Sequence, residues 1–203
     1  MSRCMPEQVS RRTWRAAVIS LALTTGAVIG AALLLTTQSQ AIDTSLIVDR
    51  LDERWTIRSG RAESDRLVLR PAAGSIGLAL HPIASSAFRL QARVDLASPQ
   101  GAAGLIVQAD DPDHFSAFLI SGDGYFRVSD YANGAWTDRA AWRAWPHIRR
   151  NGAANALRAE CQAGACTFFV NDEWTWQEQG LPGTRGIGMI AHAQAASEPF
   201  ESR

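Results

Sequence analysis

The sequence predicts an all-β domain, an antiparallel sandwich of two sheets, preceded by one N-terminal transmembrane helix. Residues 88–94 alternate between apolar and polar side chains, which is the pattern of a strand with one buried and one solvated face. Past residue 42, no stretch sustains the 3.6-residue period of an amphipathic helix. Residues 16–37 are small or aliphatic and carry no ionisable side chain. The first two observations predict the sandwich, and the third predicts the membrane span.

The uncharged segment has the length and the flanks of a signal anchor. As a helix, residues 16–37 would be roughly 33 Å long, which matches a hydrocarbon core of about 30 Å. Four Arg precede this segment, whereas Asp and Glu outnumber Arg immediately after it. By the positive-inside rule, the N-terminus lies in the cytoplasm and the chain after the span lies outside it.

The chain is therefore expected to contain four parts. Ser39 and Ala41 have the spacing of a signal-peptidase site, so cleavage near Ala41 and export is the alternative to a single-pass protein of the cytoplasmic membrane. The predicted parts are a cytoplasmic Arg-rich tail over 1–15, a transmembrane signal anchor over 16–37, a linker over 38–53 and an extracytoplasmic β-sandwich domain over 54–203.

Small residues recur every four positions along one side of the span, at Ala22, Gly26 and Gly30. Gly26 and Gly30 form a GxxxG element, which lets two helix backbones approach closely. A homodimer through this transmembrane face is one interpretation. The other is that a span rich in Gly and Ala produces the spacing by composition alone.

Charge and composition exclude several classes of function. Lys plus Arg and Asp plus Glu both number 20, which gives a formal net charge of +0 at pH 7. A neutral chain has no electrostatic basis for binding nucleic acid. All the basic residues are Arg, so Schiff-base chemistry and a P-loop, which both need lysine, are excluded.

Short alternating or apolar runs, separated by turn residues, predict the strands in order. Gly124, Asn133 and Gly134 tolerate positive φ and mark two of the turns. The predicted strands are 67–70, 76–81, 88–94, 104–109, 114–121 and 125–130.

Two of the three cysteines flank a predicted hairpin loop. Cys161 and Cys166 bound a four-residue loop between runs 155–160 and 167–171, which both have strand character. Residues that flank such a loop lie opposite each other, at a Cα separation that suits a disulfide. Export favours the bond, whereas in a reducing compartment the two would be half-buried thiols.

The sequence motifs of the domain follow one another in an order that can be compared with known families. They are HFSAFLIS, a Gly-centred turn, GYFRVSDYANGAW, Trp142, Ile148, Asn155 with Leu157, FFVND at 168–172 and GIGM at 186–189. This order resembles the concanavalin A-like lectin/glucanase superfamily, in its laminin-G-like and 3-keto-disaccharide-hydrolase-like branch, over about residues 50–200. The resemblance implies a jelly-roll sandwich. The family usually closes with a strand F-D-x-F-x-V, whereas this chain has Phe200 and Glu201 close to its end, so an open sheet edge is expected.

No residue pattern identifies a catalytic site. The glucanases of this fold use a strand motif E-x-D-x-x-E, which aims carboxylates at one sugar and does not occur here. The four His lack the spacing of metal ligands. Asp110, Asp111 and Asp113 share a predicted loop and could supply oxygens to Ca²⁺, although such clusters are usually solvated turns. No other cofactor is expected.

Aromatic side chains remain as the candidates for ligand binding, because a flat ring can stack on the CH-rich face of a sugar at low entropic cost. Trp174 and Trp176 lie two apart on a predicted strand and are expected to share one face. The core of the sandwich is the competing location for these rings, and the expected one for Trp55 and Trp142. The candidate ligand-binding residues are Trp174, Trp176, Trp136, Trp145 and Tyr125.

The sequence thus predicts a membrane-anchored binding module outside the cytoplasm, with carbohydrate or an envelope protein as its partner and without catalytic activity. A periplasmic glycoside-cleaving enzyme of the 3-keto-disaccharide hydrolase type is the alternative, and a docking module with an open sheet edge is a third interpretation. Binding needs exposed rings with hydrogen-bonding neighbours. Cleavage needs carboxylates that converge on one sugar.

Overall fold

The computed structural model describes the strands and turns of the domain. Its described residues are 45–46, 54–63, 66–85, 87–96, 98–99, 101–181 and 184–193. Within these ranges there is no helix, and hence none with the length and apolarity needed to cross a membrane. The predicted tail, the span with Ala22, Gly26 and Gly30, and the cleavage position at Ala41 lie outside the described residues.

Two sheets form the body of the domain, which belongs to one compact unit over residues 42–203. In spatial order, the five-stranded sheet contains β1 (Ser45–Leu46), β6 (Ala87–Val94), β11 (Asn155–Gln162), β12 (Ala165–Val170) and β13 (Glu173–Glu178). The seven-stranded sheet contains β10 (Ala135–Ala144), β9 (Tyr125–Ala132), β8 (His114–Ser121), β7 (Gly101–Asp111), β14 (Gly186–Ala193), β5 (Ser75–Pro82) and β2 (Thr56–Arg58). A small hairpin contains β3 (Gly60–Ala62) and β4 (Leu67–Leu69).

The sheets pack face to face around one apolar core, and the predicted all-β sandwich is confirmed. Alternate residues of β12 are buried, as expected for a strand with one face on a core. Phe168 of β12 stacks on Phe118 of β8, with ring centroids 4.6 Å apart and planes inclined by 12°. Both rings are completely buried. The contact between them joins the two sheets at the centre of the core.

The strand pairing is antiparallel at every described ladder except one. The exception is the ladder between β1 and β6, which is parallel. β1 lies in the segment that the sequence predicts to be a linker. The last described strand, β14, lies between β7 and β5 in the middle of the seven-stranded sheet. Phe200 and Glu201, on which the expectation of an open edge rested, lie outside the described residues.

The predicted disulfide joins β11 to β12. Cys161 and Cys166 are register partners with their Cα atoms 4.1 Å apart, and both are buried. The loop is shorter than expected, because the ladder continues to Gln162 and Ala165. Ala163 and Gly164 alone form the turn, with φ of 51° and 79°. Two consecutive positive φ values are typical of the tight turn that follows the twist of a hairpin.

β7 and β8 approach so closely at Gly104 that no side chain fits there. A Cβ added to Gly104 would lie 1.9 Å from the carbonyl oxygen of Phe118, the residue that stacks across the core. At Gly101, on the same strand, the nearest atom would be 3.4 Å away, which is an ordinary contact. Gly104 therefore permits the spacing of the two strands that carry the core.

We expect Gly104→Ala to lower the free energy of unfolding by about 1–3 kcal/mol, because the added methyl group must push the backbone of β8 aside. Denaturant unfolding of the purified protein measures the change. Gly101→Ala is the matched control and should stay within about 0.5 kcal/mol of the parent. Equal stability of the two variants would contradict the close approach.

We expect the double variant Cys161→Ala, Cys166→Ala to lose about 2 kcal/mol of stability, since the bond closes a short loop of the unfolded chain. Unfolding with and without a reducing agent measures this loss. Reduction should destabilise the parent protein and leave the double variant unchanged. A parent protein that is insensitive to reduction would show that the bond contributes nothing.

Candidate functional site

The five predicted ligand-binding residues do not converge on one place. Trp174 lies on the outer face of the five-stranded sheet, with 53% of its surface exposed. Trp136 lies on the outer face of the seven-stranded sheet, against a second apolar cluster. Trp145 and Trp176 pack against the main core, and Tyr125 is half-buried at the start of β9.

The expectation that Trp174 and Trp176 share one face is wrong, because a β-bulge separates them. Trp174 pairs with Phe169 and Trp176 pairs with Phe168, so three residues of β13 lie opposite two of β12. The extra residue is Thr175, which is buried. A bulge reverses the alternation beyond it. Trp174 therefore points outward while Trp176 points toward the core.

Trp176 closes one edge of the sandwich instead. Its ring lies 6.2 Å from that of Phe126, and the Arg143 guanidinium lies 4.7 Å from its centroid. Its indole Nε1 donates a hydrogen bond to Glu178 at 3.1 Å. A ring held by a core contact, a cation and a hydrogen bond has a structural role here.

Arg139 links the two sheets beside this ring. Its Nε donates to both carboxylate oxygens of Asp130 at 2.9 and 2.8 Å, and its Nη1 lies 3.6 Å from Glu178. The hydrogen bond to Asp130 raises the pKa of Arg139 above its ordinary value, against the desolvation that lowers it. The carboxylates of Asp130 and Glu178 are thereby occupied by a fixed positive charge.

Across the outer face of the five-stranded sheet, four side chains stand in one register row. Gln91 of β6 pairs with Arg158 of β11, Arg158 pairs with Phe169 of β12, and Phe169 pairs with Trp174 of β13. Because neighbouring strands lie about 4.8 Å apart, the row is roughly 14 Å long. We call these four residues the outer-face row.

The arginine of the row is rigidly placed. The Arg158 guanidinium lies 3.7 Å from the centroid of the Phe169 ring, which is a cation–π contact. Its Nη1 also donates to Glu160, the next outward residue of the same strand. Glu160 in turn pairs with Arg89 at 3.0 Å. The plane of the guanidinium is thus set by its neighbours before any ligand arrives.

A groove with a volume of about 290 Å³ lies at the end of the row that Gln91 and Arg158 form. We call it the outer-face groove. Ala156, a small residue on β11, is one of its lining residues. Asp172, in the turn after β12, is the one carboxylate among its described lining residues. The groove is lined by Gln91, Ala92, Arg93, Ala156, Leu157, Arg158 and Asp172.

The opposite face of the sandwich carries a different aromatic cluster. Trp136 lies 4.9 Å from Tyr131, 5.9 Å from Phe115 and 5.8 Å from His192, measured between ring centroids. The Arg127 guanidinium lies 4.4 Å from the ring centroid of Trp136. These rings lie mainly against one another and against buried residues of the sheet.

The two tryptophans expected in the sandwich core have different positions. Trp55 is buried, with its ring 5.2 Å from that of His81. Trp142 is half-buried on the outer face of the seven-stranded sheet, where Arg127 lies 5.2 Å from its centroid. The expectation of a sandwich-core location is therefore wrong for Trp142. A β-bulge between Ala140, which lies in the main core, and Arg143 interrupts the alternation along β10 and places the Trp142 ring on the outer face.

The acidic loop around Pro112 is held together by protein groups. Asp111 accepts a hydrogen bond from the backbone N–H of Asp113 at 2.7 Å and lies 3.0 Å from His114 Nδ1. These two contacts, the backbone one foremost, lower the pKa of Asp111. Asp113 pairs with Arg58 at 2.9 Å. In the part of the chain that the structure describes, no three His, Cys, Asp or Glu side chains are grouped as metal ligands.

Sequence reasoning missed Phe169, Arg158 and Arg127 as members of the two aromatic faces. The alternation in FFV, with Phe168 inward, would have identified Phe169 as an outward ring. No sequence signal pairs either arginine with its ring, because the partners come from other strands or from across a turn.

The comparisons with known proteins identify the fold. No model of a known protein family matches the chain, and no curated protein is significantly similar to it in sequence. Among solved structures, carbohydrate binding module CBM66 from Bacillus subtilis matches with a TM-score of 0.55 at 16% identity, over 75% of this chain and 96% of that one. The beta-glucanase of Bacillus licheniformis matches with a TM-score of 0.52 at 9% identity, over 75% and 85%. The chain has the concanavalin A-like lectin/glucanase fold, as the resemblance implied.

We expect Trp176→Ala to lower the free energy of unfolding by at least about 2 kcal/mol, since it removes a ring from the edge of the core. Trp174→Ala should change it by no more than about 0.5 kcal/mol, because that ring is mostly solvated. Denaturant unfolding of both variants measures the difference. Similar losses in the two variants would contradict the assignment of the rings to opposite faces.

Proposed function

We propose that this protein is an extracytoplasmic carbohydrate-binding module, and that an oligosaccharide lies along the outer-face row. The exposure of Trp174 is the observation that supports this proposal most. With 53% of its surface exposed, Trp174 is the large hydrophobic side chain that is mostly exposed to solvent in the described part of the chain. An exposed ring next to polar side chains offers a sugar a flat apolar face and hydrogen bonds together.

The geometry of the row suits a sugar chain more than a single compact ligand. Trp174 offers an exposed aromatic ring, and on the neighbouring strand Phe169 carries the Arg158 guanidinium, which is thereby oriented. Because the row lies on a sheet, binding would order few side chains, which limits the entropic cost. Gln91 and Asp172 add a neutral donor and an acceptor for sugar hydroxyls in the groove.

The fold supports this choice of ligand class. The solved structure that matches with a TM-score of 0.55 is entitled a carbohydrate binding module. The beta-glucanase match indicates that the same fold also serves an enzyme that acts on glucan. We also infer that the two sheets form a jelly roll.

Binding is preferred to glycoside cleavage because of the carboxylates. Cleavage needs two carboxyl groups that flank one glycosidic bond. Asp172 is the one carboxylate among the described residues of the groove, and Arg139 occupies both Asp130 and Glu178 at the sandwich edge. Glu160, on the same outer face, is held by Arg89 and Arg158, so a ligand in the outer-face groove meets one carboxylate, that of Asp172, among the described lining residues.

The proposal includes the location predicted from the sequence. Residues 16–37 would anchor the protein in the cytoplasmic membrane with the tail of residues 1–15 inside, or a signal peptide would be cleaved near Ala41. The disulfide between Cys161 and Cys166 agrees with a domain outside the cytoplasm, where such bonds persist. An envelope glycan is then within reach of the domain, and an envelope protein remains the second partner to test.

We expect Trp174→Ala to weaken the binding of the best glycan about tenfold, which corresponds to the roughly 1–1.5 kcal/mol of an aromatic contact. A glycan array with the purified protein identifies the ligand, and calorimetry measures the affinity. Trp136→Ala is the matched control, because it removes a ring of the same type from the opposite sheet.

The pair of variants decides which face binds. Loss of affinity in Trp174→Ala with no change in Trp136→Ala supports the outer-face row. The reverse result contradicts the row and assigns the sugar to the seven-stranded sheet. Binding to no glycan on the array would overturn the proposed function itself.

A further inference from the structure

We propose that the ligand of the outer-face groove is an acidic saccharide, in which Arg93 and Arg158 together bind the carboxylate of a uronic acid. This inference rests on the proposed function, since it names the class of sugar that the same site would take. It depends on the arrangement of two arginines and on what each of them already contacts.

Arg93 and Arg158 face the groove from neighbouring strands. Arg158 pairs with Gln91 and Arg93 pairs with Ala156, so the two arginines are diagonal neighbours across the ladder of β6 and β11. Such diagonal positions lie about 7–8 Å apart, which long side chains span easily. Ala156 leaves the space between them open, and the groove occupies that space.

The two guanidinium groups differ in what they already bind. Arg158 is held by the Phe169 ring and by Glu160. Arg93 is exposed, and within the described part of the chain its side chain makes neither an ion pair nor a hydrogen bond. Arg93 therefore offers a complete set of donors, whereas Arg158 offers the edge that its neighbours leave free.

The nearby carboxylates do not neutralise this pair. Glu160 is shared between Arg89 and Arg158, so these three groups carry a net charge of +1 before Arg93 is counted. Asp172, the one carboxylate among the described lining residues, lies in the turn after β12 and not on the ladder between the two arginines. The groove thus has a basic side on β6 and β11 and an acidic end at Asp172.

This polarity matches the two kinds of group on a uronic acid. A planar carboxylate accepts two parallel hydrogen bonds from a guanidinium, which gives both strength and orientation. The sugar hydroxyls can donate to Asp172 at the other end of the groove. A neutral sugar would use the hydroxyl contacts alone and would leave Arg93 in water.

Polygalacturonate, alginate and hyaluronate, each compared with its carboxyl-reduced form, test the inference with the full chain in a nonionic detergent. We expect at least one acidic polymer to bind about tenfold more tightly than its reduced form at low salt. Arg93→Gln should remove this preference, so that the acidic polymer and its reduced form bind with equal affinity. Added salt should weaken the acidic form selectively.

Arg185→Gln is the matched control, because Arg185 is also exposed and has no side-chain partner among the described residues. It should keep the preference for the acidic polymer. Trp174→Ala should weaken both forms equally, since stacking does not depend on the carboxylate. If Arg185→Gln loses the preference as Arg93→Gln does, the effect is one of overall charge and the inference is wrong.

A protein that binds neutral or reduced glycans but prefers none of the three acidic polymers overturns the inference and leaves the proposed function intact. A protein that binds no glycan at all overturns both. Preference for an acidic polymer that Arg93→Gln retains would also overturn the inference, because the carboxylate would then lie elsewhere.

Discussion

The stacking of Phe168 on Phe118 joins the two sheets, and much of the domain is arranged around this contact. The rings come from β12 and β8, and their centroids lie 4.6 Å apart in a fully buried core. Gly104 allows β7 to lie directly against the backbone of Phe118. Since a strand alternates its faces, the inward position of Phe168 determines that Phe169 points outward. The ring on the surface is thus a consequence of the ring in the core.

The bulge at Thr175 extends this relation to the neighbouring strand. In a regular strand without a bulge, Trp174 and Trp176 would point to the same side of β13. With it, Trp176 completes the core edge against Phe126, and Trp174 stands beside Phe169 on the outer face. A bulge can redirect a single side chain in this way while the ladder continues on both sides. The short strand β13 therefore supplies one ring to the core edge, that of Trp176, and one ring to the outer face, that of Trp174.

The two outer faces of the sandwich have different physical characters. On the seven-stranded sheet, Trp136 and its neighbours contact one another and enclose the Arg127 guanidinium, so their ring surfaces are largely used within the protein. On the five-stranded sheet, Arg158 and Phe169 form a fixed pair next to an open groove, and Trp174 remains exposed. A site whose side chains are already held by contacts within the sheet is suited to binding a ligand with little reorganisation.

The sequence by itself determined the class of fold, most strand positions and the disulfide, because these depend on local alternation and on residues close in the chain. The strand predicted at 114–121 coincides with β8, and Cys161 faces Cys166 across a hairpin whose turn is two residues shorter than expected. Tertiary structure alone decided which aromatic rings reach the surface. The faces of Trp174 and Trp176 depend on a bulge, and a bulge arises from how β13 fits against β12 and the core. Likewise, Arg93 and Arg158 are neighbours only because β6 pairs with β11. These two strands are far apart in sequence, so no local sequence pattern predicts their register.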